Sequence, residues 1–416
     1  MRFAVMILLI TCILTTGCSN NGARETDEIA WVISIGIDRA EDGDLLVTYR
    51  IAVPAAQAAG SENGSGGKDS STLITIKAPS LAEARNLLNA SMSRGVNLSQ
   101  VTAIVISEDL ARHGIEDLIG PLLRFREFRG TIFIIVCTGK ALDIFEANKP
   151  PLESIVSRWI HNSMRNYDET SYFISFNLQE FYTRLKSNSG APLAVGYGLN
   201  PLSGQDQAAD IQPGGKTKTY LPGDVPRQGS NATEFMGTAV FKEDKMVGFL
   251  DTGETRALSI LLNTFSYGFL SVPDPLATKH LVTMSIRNGR APKIDIDISG
   301  EEPVINVDVL LEGEISGLPT GIAYESKEYL NLLETQVSNT LQQQIVDMLA
   351  RTQAWGTDVV DFGYFIRPKF LTMGELKNYD WDQRFSQATL TVKVNTELRR
   401  TGLMRKTQPI RREAKD

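Results

Sequence analysis

Three histidines are the side chains of this sequence best suited to acid–base catalysis or metal binding at neutral pH. His113, His161 and His280 lie far apart, and none stands in the spacing that divalent metal sites use. The sequence also lacks the Gly-x-Ser-x-Gly turn that presents a nucleophilic serine in many hydrolases. These patterns predict no catalytic centre, no metal site and no cofactor, so we do not expect an enzyme.

Two further segments could carry chemistry, and both have a simpler interpretation. Gly214–Thr217 is similar to the end of a phosphate-binding loop, but Asp210 stands where the first glycine is needed and no apolar strand precedes it. The acidic pair within Gly300–Pro303 is flanked by glycine and proline, which is typical of a turn between strands. We interpret the first segment as linker and the second as solvated charge.

The first eighteen residues carry the clearest chemical signal. Met1-Arg2 is followed by an apolar run, Phe3–Leu14, which is shorter than a bilayer-spanning helix, and then by Thr15–Gly17 and Cys18. Small residues directly before a cysteine are typical of a lipobox, although Thr15 occupies the position where leucine is usual. We therefore predict a cleaved signal peptide, residues 1–17, and diacylglycerol and N-acyl lipid on Cys18.

The alternative is an ordinary signal peptide cut near Gly17, which leaves a free thiol at Cys18. Cys12 leaves with either signal peptide, so Cys137 is the one other cysteine of the mature chain and no internal disulfide is expected. Two or more acyl chains would hold the protein at a membrane without a transmembrane helix.

Length and composition predict a folded body with more than one domain. The chain has 416 residues, 42% of them hydrophobic, and a net charge of −7, which disfavours nucleic-acid binding. After a tether at residues 18–28, strands and helices alternate through residues 29–187, which predicts an N-terminal α/β domain. Its expected strands are residues 29–38, 44–53, 72–77, 100–107 and 131–137.

The rest of the chain is predicted to form a linker and two further domains. Residues 188–233 are rich in Gly, Pro and Ser and are interpreted as an interdomain linker. Residues 234–278 contain a strand-turn-strand and a helix from Thr255, too little to fold alone. Residues 279–403 contain three alternating strands, a long amphipathic helix and a last strand, and a basic tail follows at residues 404–416.

Three motifs resemble the Ger(x)C family of spore germination lipoproteins. They are Ile29–Asp38, ending in Gly-Ile-Asp; Gly237–Leu250 with Glu254-Thr255-Arg256 after it; and Asp361-Phe-Gly, Trp381-Asp382, Phe385 and Arg399–Gly402. Phe365-Ile366 departs from the family, whose members often carry a second glycine there. The resemblance covers nearly the whole mature chain.

The resemblance implies a mixed α+β protein of three domains, each a β-sheet packed with helices, behind a cleaved signal peptide. It also implies a lipid-anchored subunit of a germinant receptor on the outer face of the spore inner membrane. The implied partners are a polytopic transporter-like subunit and a second membrane subunit. Contact between this subunit and the germinant itself is left open.

Five residues of the family-like segments are candidates for partner or interdomain contacts: Glu254, Arg256, Trp381, Arg399 and Arg400. Glu254 and Arg256 suit a polar interface or an ion pair between domains, and their spacing equally suits a capped helix start inside the protein. The basic residues from Arg399 to Lys415 suit anionic lipid headgroups, a neighbouring subunit or a solvated end.

Two other functions compete with the receptor subunit. A lipoprotein that binds a small solute would need two lobes around a cleft, and the single long linker, instead of paired hinge crossings, disfavours it. A membrane-tethered hydrolase would need a nucleophile and base that the sequence does not show.

Overall fold

The computed structural model describes residues 25, 28–53, 70–153, 155–187, 189–201, 218–229, 231–400 and 402. The predicted signal peptide, Cys18 and the basic tail at residues 404–416 lie outside these residues. Where the structure describes the chain, its strands form two sheets and helices cover both, so the predicted mixed α+β class is confirmed.

The first sheet has nine strands within the described residues. Eight follow the order β3-β2-β1-β5-β6-β7-β8-β9, and β4 pairs with the start of β1. Their bounds are β1 Ile29–Arg39, β2 Leu45–Ala52, β3 Ser71–Ala78, β4 Gly95–Asn97, β5 Ala103–Ser107, β6 Phe133–Cys137, β7 Leu193–Leu199, β8 Thr233–Lys242 and β9 Lys245–Leu250.

Four central strands, β1, β5, β6 and β7, run parallel. Burial on both faces explains their nearly continuous apolar sequences, such as Ala103–Ser107, in which every residue is buried. Because the four strands are parallel, they all begin at one edge of the sheet, which we call the amino edge. Their opposite ends form the carboxyl edge.

Eight helices accompany this sheet: α1 Leu81–Ser91, α2 Glu108–His113, α3 Glu116–Arg124, α4 Ala141–Ala147, α5 Val156–Arg165, α6 Tyr167–Thr170, α7 Leu178–Lys186 and α8 Thr252–Leu261. The side chain of Ser80 caps α1 by accepting from the backbone N–H of Glu83 at 3.2 Å. One face of the sheet packs on α1, α3 and α7, and the other packs on α4 and α5.

The second sheet has the order β10-β11-β13-β12, with β14 parallel to β13. Its strands are β10 Gly268–Pro273, β11 Leu281–Asn288, β12 Lys293–Asp297, β13 Val304–Gly317 and β14 Thr389–Arg400. Four helices belong to this part: α9 Lys327–Ala354, α10 Phe362–Ile366, α11 Met373–Tyr379 and α12 Trp381–Phe385, with a 3₁₀ turn at Arg367–Lys369 after α10.

Helix α9 crosses the second sheet over 28 residues, as its sequence predicts. The side chain of Ser326 caps its start, and one stripe faces inward through Leu333, Val337, Leu341, Ile345 and Leu349. That spacing of three and four residues places the apolar side chains on one side of the helix. Burial of this stripe against β13 and β14 holds the C-terminal part together.

One apolar core joins the two sheets. Leu193 and Val240 of the first sheet and Leu258 of α8 belong to the same buried cluster as Met284 and Leu341 of the C-terminal part. Helix α8 packs against α9, so the chain between the sheets is itself part of this core. The core fixes the position of the C-terminal part against one face of the first sheet.

The structure differs from the sequence analysis in the middle of the chain. Residues 193–199, predicted as interdomain linker, form β7, which pairs with β6 and β8 inside the first sheet. The predicted hairpin of residues 234–278 supplies β8 and β9 to the same sheet, and β10 lies in the second.

Candidate functional site

The opening motif holds the first sheet against α4. The carboxylate of Asp38, at the carboxyl edge, accepts from the backbone N–H groups of Ala141 at 2.7 Å and Leu142 at 3.3 Å. Burial raises the pKa of Asp38, although these donors oppose the rise. A Cβ on Gly36 would lie 2.9 Å from the Cβ of Ala141, so glycine permits the close approach. The Gly-Ile-Asp motif is thus explained by packing.

Glu254 connects α8 to the long helix. Together with Asp251 it forms a capping box at the start of α8, in which its carboxylate accepts from the N–H of Asp251 at 3.0 Å. The same carboxylate lies 2.7 Å from the guanidinium of Arg351 on α9. Of the two roles considered for Glu254, both are present: it caps a helix and forms an ion pair between two parts of the chain.

Arg256 is buried and does not contact Glu254. Its Nη2 donates to the carbonyl of Phe269 at 3.0 Å, its Nε to Ser171 at 3.3 Å, and its guanidinium lies 5.1 Å from the ring centre of Tyr172. Burial lowers the pKa of this guanidinium. With 3% of its surface exposed, Arg256 connects β10 to the segment before α7 and offers no contact to a partner.

Trp381 belongs to a cluster that we call the polar joint, formed by buried Asp358, Gly363 and Trp381 and half-buried Arg184. The indole Nε1 donates to Asp358 Oδ2 at 2.9 Å, and the N–H of Gly363 donates to the same oxygen at 2.9 Å. Burial raises the pKa of Asp358 to about 7 despite these donors. The Asp-Phe-Gly and Trp-Asp motifs therefore meet at one carboxylate, which the sequence did not reveal.

The polar joint connects the C-terminal part to the amino edge of the first sheet. The N–H of Ala191, just before β7, donates to the carbonyl of Asp358 at 2.7 Å. Arg184 at the end of α7 donates from Nη1 to the carbonyls of Ala191 and Val359, both at 3.1 Å. A Cβ on Gly363 would lie 2.7 Å from the Cα of Ser189, so the two backbones are in close contact.

Arg399 and Arg400 line an open groove of about 460 Å³ on the second sheet. Together with Arg287 and Glu312 they form what we call the arginine groove. Arg399 Nη2 lies 2.6 Å from Glu312 Oε1, and Arg287 Nη2 lies 2.9 Å from Glu312 Oε2. The side chains of Arg399 and Arg287 are 59% and 65% exposed, so this groove, unlike the polar joint, is open to solvent.

The described part of the chain contains no group of three or more His, Cys, Asp or Glu residues placed to hold a metal ion. Cys137 is a buried free thiol, and burial raises its pKa well above the ordinary value, which suits packing and not nucleophilic chemistry. Among the described helices none has the length and apolar character to span a bilayer.

Comparison with known proteins gives consistent results over most of the chain. The family model "Spore germination protein N-terminal domain" matches residues 22–196, and the C-terminal model "Spore germination B3/GerAC like" matches residues 236–402. Spore germination protein KC of Bacillus subtilis (strain 168) is 24% identical over 99% of this chain and 98% of its own length. Spore germination protein B3 of the same organism is 21% identical, covering 97% and 99%.

The fold also has a counterpart among solved structures. The crystal structure of the GerBC protein superposes with a TM-score of 0.52, covering 88% of this chain and 96% of that chain at 18% identity. The two family models, the full-length relatives and this fold agree with the three motifs of the sequence. The chain therefore belongs to the Ger(x)C family of spore germination proteins.

Proposed function

We propose that this protein is the lipid-anchored subunit of a spore germinant receptor, and that it works through contacts with other receptor subunits. The observation that carries the proposal is the match of both family models, over residues 22–196 and 236–402, to spore germination proteins. The lipobox-like Thr15–Cys18 supports attachment to the outer face of the spore inner membrane.

The same proposal assigns the chain a binding role and not a catalytic one. Its expected partners are a polytopic transporter-like subunit and a second membrane subunit, which nutrients activate as one complex. An anchored body is held at high effective concentration beside such partners, so modest contacts suffice for assembly. Of the five candidate residues, Arg399 and Arg400 are accessible for such contacts.

A substitution at Cys18 tests the anchor and the assembly together. Full-length chain and its Cys18→Ser variant are expressed in a spore-forming host, and the membrane fraction is probed for the chain and for co-purifying polytopic subunits. We expect Cys18→Ser to lose both membrane retention and partners. Cys12→Ser, a matched change within the apolar run, is expected to lose neither.

Unchanged retention of the Cys18→Ser chain would contradict lipidation at this residue. Retention without any co-purifying membrane subunit would contradict the receptor role. If the chain had no co-purifying subunit and bound a small nutrient by itself in equilibrium dialysis, the protein would be a free-standing solute receptor.

A further inference from the structure

We infer that the amino edge of the first sheet is a membrane-facing surface that takes anionic phospholipid headgroups. This inference rests on the lipid anchor proposed above. The described first strand begins at Ile29, and ten residues separate it from Cys18. Ten residues span at most about 36 Å. The strand starts at the amino edge, so this edge is the part of the sheet that the tether holds nearest the bilayer.

The loop between α3 and β6 gives the amino edge exposed positive charge. Arg124 at the end of α3 and Arg126 and Arg129 in the loop are all exposed, and the loop leads into β6 at the edge where that strand begins. Glu127, the acidic residue of the loop, is turned inward: its carboxylate lies 2.5 Å from Arg85 and accepts from the N–H of Leu98 at 2.8 Å. The loop therefore exposes its arginines, while its half-buried Glu127 is paired with Arg85.

The segment after the polar joint starts at the amino edge, packs beside β12 of the second sheet and carries an exposed apolar surface. Gly363 contacts Ser189 just before β7, so α10 starts at the amino edge. Beyond it Tyr364 is 59% and Leu371 is 95% exposed, and Phe365 and Met373 are also exposed. Exposed Arg367 and Lys369 lie between them in the chain. Aromatic and aliphatic side chains interleaved with basic ones suit the interface between headgroups and acyl chains.

The carboxyl edge of the same sheet carries more exposed acidic residues, although Lys140 and Lys149 are exposed there too. The turn after β1 holds Glu41, Asp42 and Asp44, and α2 starts there with Glu108 and Asp109. Lys77 pairs with Asp42 at this edge. In a chain of net charge −7, the three exposed arginines of the amino edge outnumber the exposed acidic residues there, Glu28 before β1 and Glu243 after β8. An anionic membrane attracts the amino edge and repels the carboxyl edge.

Two single-cysteine probes test this orientation in the full lipidated chain. Leu371 and Leu152 are 95% and 94% exposed, and Leu152 lies near Asn148, whose amide oxygen accepts from Asn231 next to the start of β8 at the carboxyl edge. The chain carrying Leu371→Cys or Leu152→Cys is labelled with a polarity-sensitive fluorophore. Labelling is selective because Cys137 is buried and Cys18 is acylated.

The labelled chains are reconstituted into vesicles of phosphatidylglycerol and phosphatidylcholine, and into vesicles of phosphatidylcholine alone. We expect the probe at 371 to gain several-fold in intensity on the anionic vesicles and the probe at 152 to stay as in water. Arg126→Glu with Arg129→Glu should remove most of that gain. The matched control, Lys279→Glu with Lys327→Glu, reverses two exposed charges, one between β10 and β11 and one at the first residue of α9. The start of α9 lies about 42 Å along that helix from the end that precedes Asp358, so this control should keep the gain in intensity.

The outcomes separate this inference from the proposal on which it rests. A chain that sediments with the vesicles while its probe at 371 stays in water contradicts the inference and leaves the anchor intact. Equal signals from both probes, or a signal at 371 that needs the other receptor subunits, also overturn it. A chain that remains in the supernatant contradicts the anchor, and the inference fails with it.

Discussion

The polar joint and the arginine groove place the same kinds of side chain in opposite surroundings. In the joint, the carboxylate of Asp358 is buried and receives hydrogen bonds from Trp381 and Gly363. In the groove, the carboxylate of Glu312 is shared by two arginines that are more than half exposed. A buried polar group that loses its hydrogen bond is costly because water cannot replace the partner, so we expect the joint to stabilise the fold. The arginines of the groove are accessible, so we expect a partner contact there instead.

Removal of the indole tests whether the polar joint stabilises the fold, and it has the largest expected effect on the free energy of unfolding. Trp381→Ala deletes a side chain that is 3% exposed and leaves Asp358 without one of its donors. We expect the free energy of unfolding to fall by about 3–5 kcal/mol, measured by urea denaturation. Trp381→Phe, which keeps most of the volume, should cost about half as much. A loss under about 1 kcal/mol for the alanine variant would show that the joint is not needed for stability.

The pKa of Asp358 gives the joint a pH dependence. Its pKa is about 7 in the folded protein against an ordinary 3.8, because burial disfavours the charged carboxylate. Between these values the folded protein holds a proton that the unfolded chain releases. The free energy of unfolding should therefore fall as the pH rises through this window, by up to roughly 4 kcal/mol, and level off above about pH 7.

Denaturation at a series of pH values checks this slope, with Asp358→Asn as the control. The amide does not titrate, so we expect the variant to lose most of the decline between about pH 5 and about pH 7. A wild-type stability that instead rose with pH over this range would contradict the assignment of a raised pKa to Asp358.

Charge reversal in the arginine groove tests whether this groove contacts a partner, and it has the smallest expected effect on stability. Arg399→Glu with Arg400→Glu removes an ion pair whose arginine is 59% exposed and whose Glu312 side chain is 13% exposed. Arg287 still pairs with Glu312, so the free energy of unfolding should change by about 1 kcal/mol or less. Co-purification of the membrane subunits should nevertheless fall several-fold. Lys279→Glu with Lys327→Glu serves as the exposed control. Unchanged co-purification would show that the groove does not contact the membrane subunits.

Elements with a strong local pattern could be predicted from the sequence. Helix α9 carries its apolar stripe over 28 residues, and β14 alternates buried and exposed residues, so both patterns are visible within one segment. The three motifs led to the correct family. Local patterns thus sufficed for the fold class and for most strands.

Features that depend on distant residues could not be predicted in the same way. Strand β7 contains Gly196 and Gly198, which make it resemble a loop, yet a side chain on Gly198 would collide with Pro222. The glycines are needed because another part of the chain crosses this strand. Likewise, Trp381 and Asp358 are 23 residues apart, and their hydrogen bond depends on how α12 packs.

Nutrient-triggered germination of intact spores tests whether this chain acts as an anchored receptor subunit. Spores that lack this chain are complemented with the wild-type chain, with Cys18→Ser or with Cys12→Ser, and the rate of germination is followed after addition of a panel of nutrients. We expect a lost response to at least one nutrient, restored by the wild-type chain and by Cys12→Ser but not by Cys18→Ser. Full restoration by a Cys18→Ser chain recovered in the soluble fraction would contradict an anchored receptor subunit.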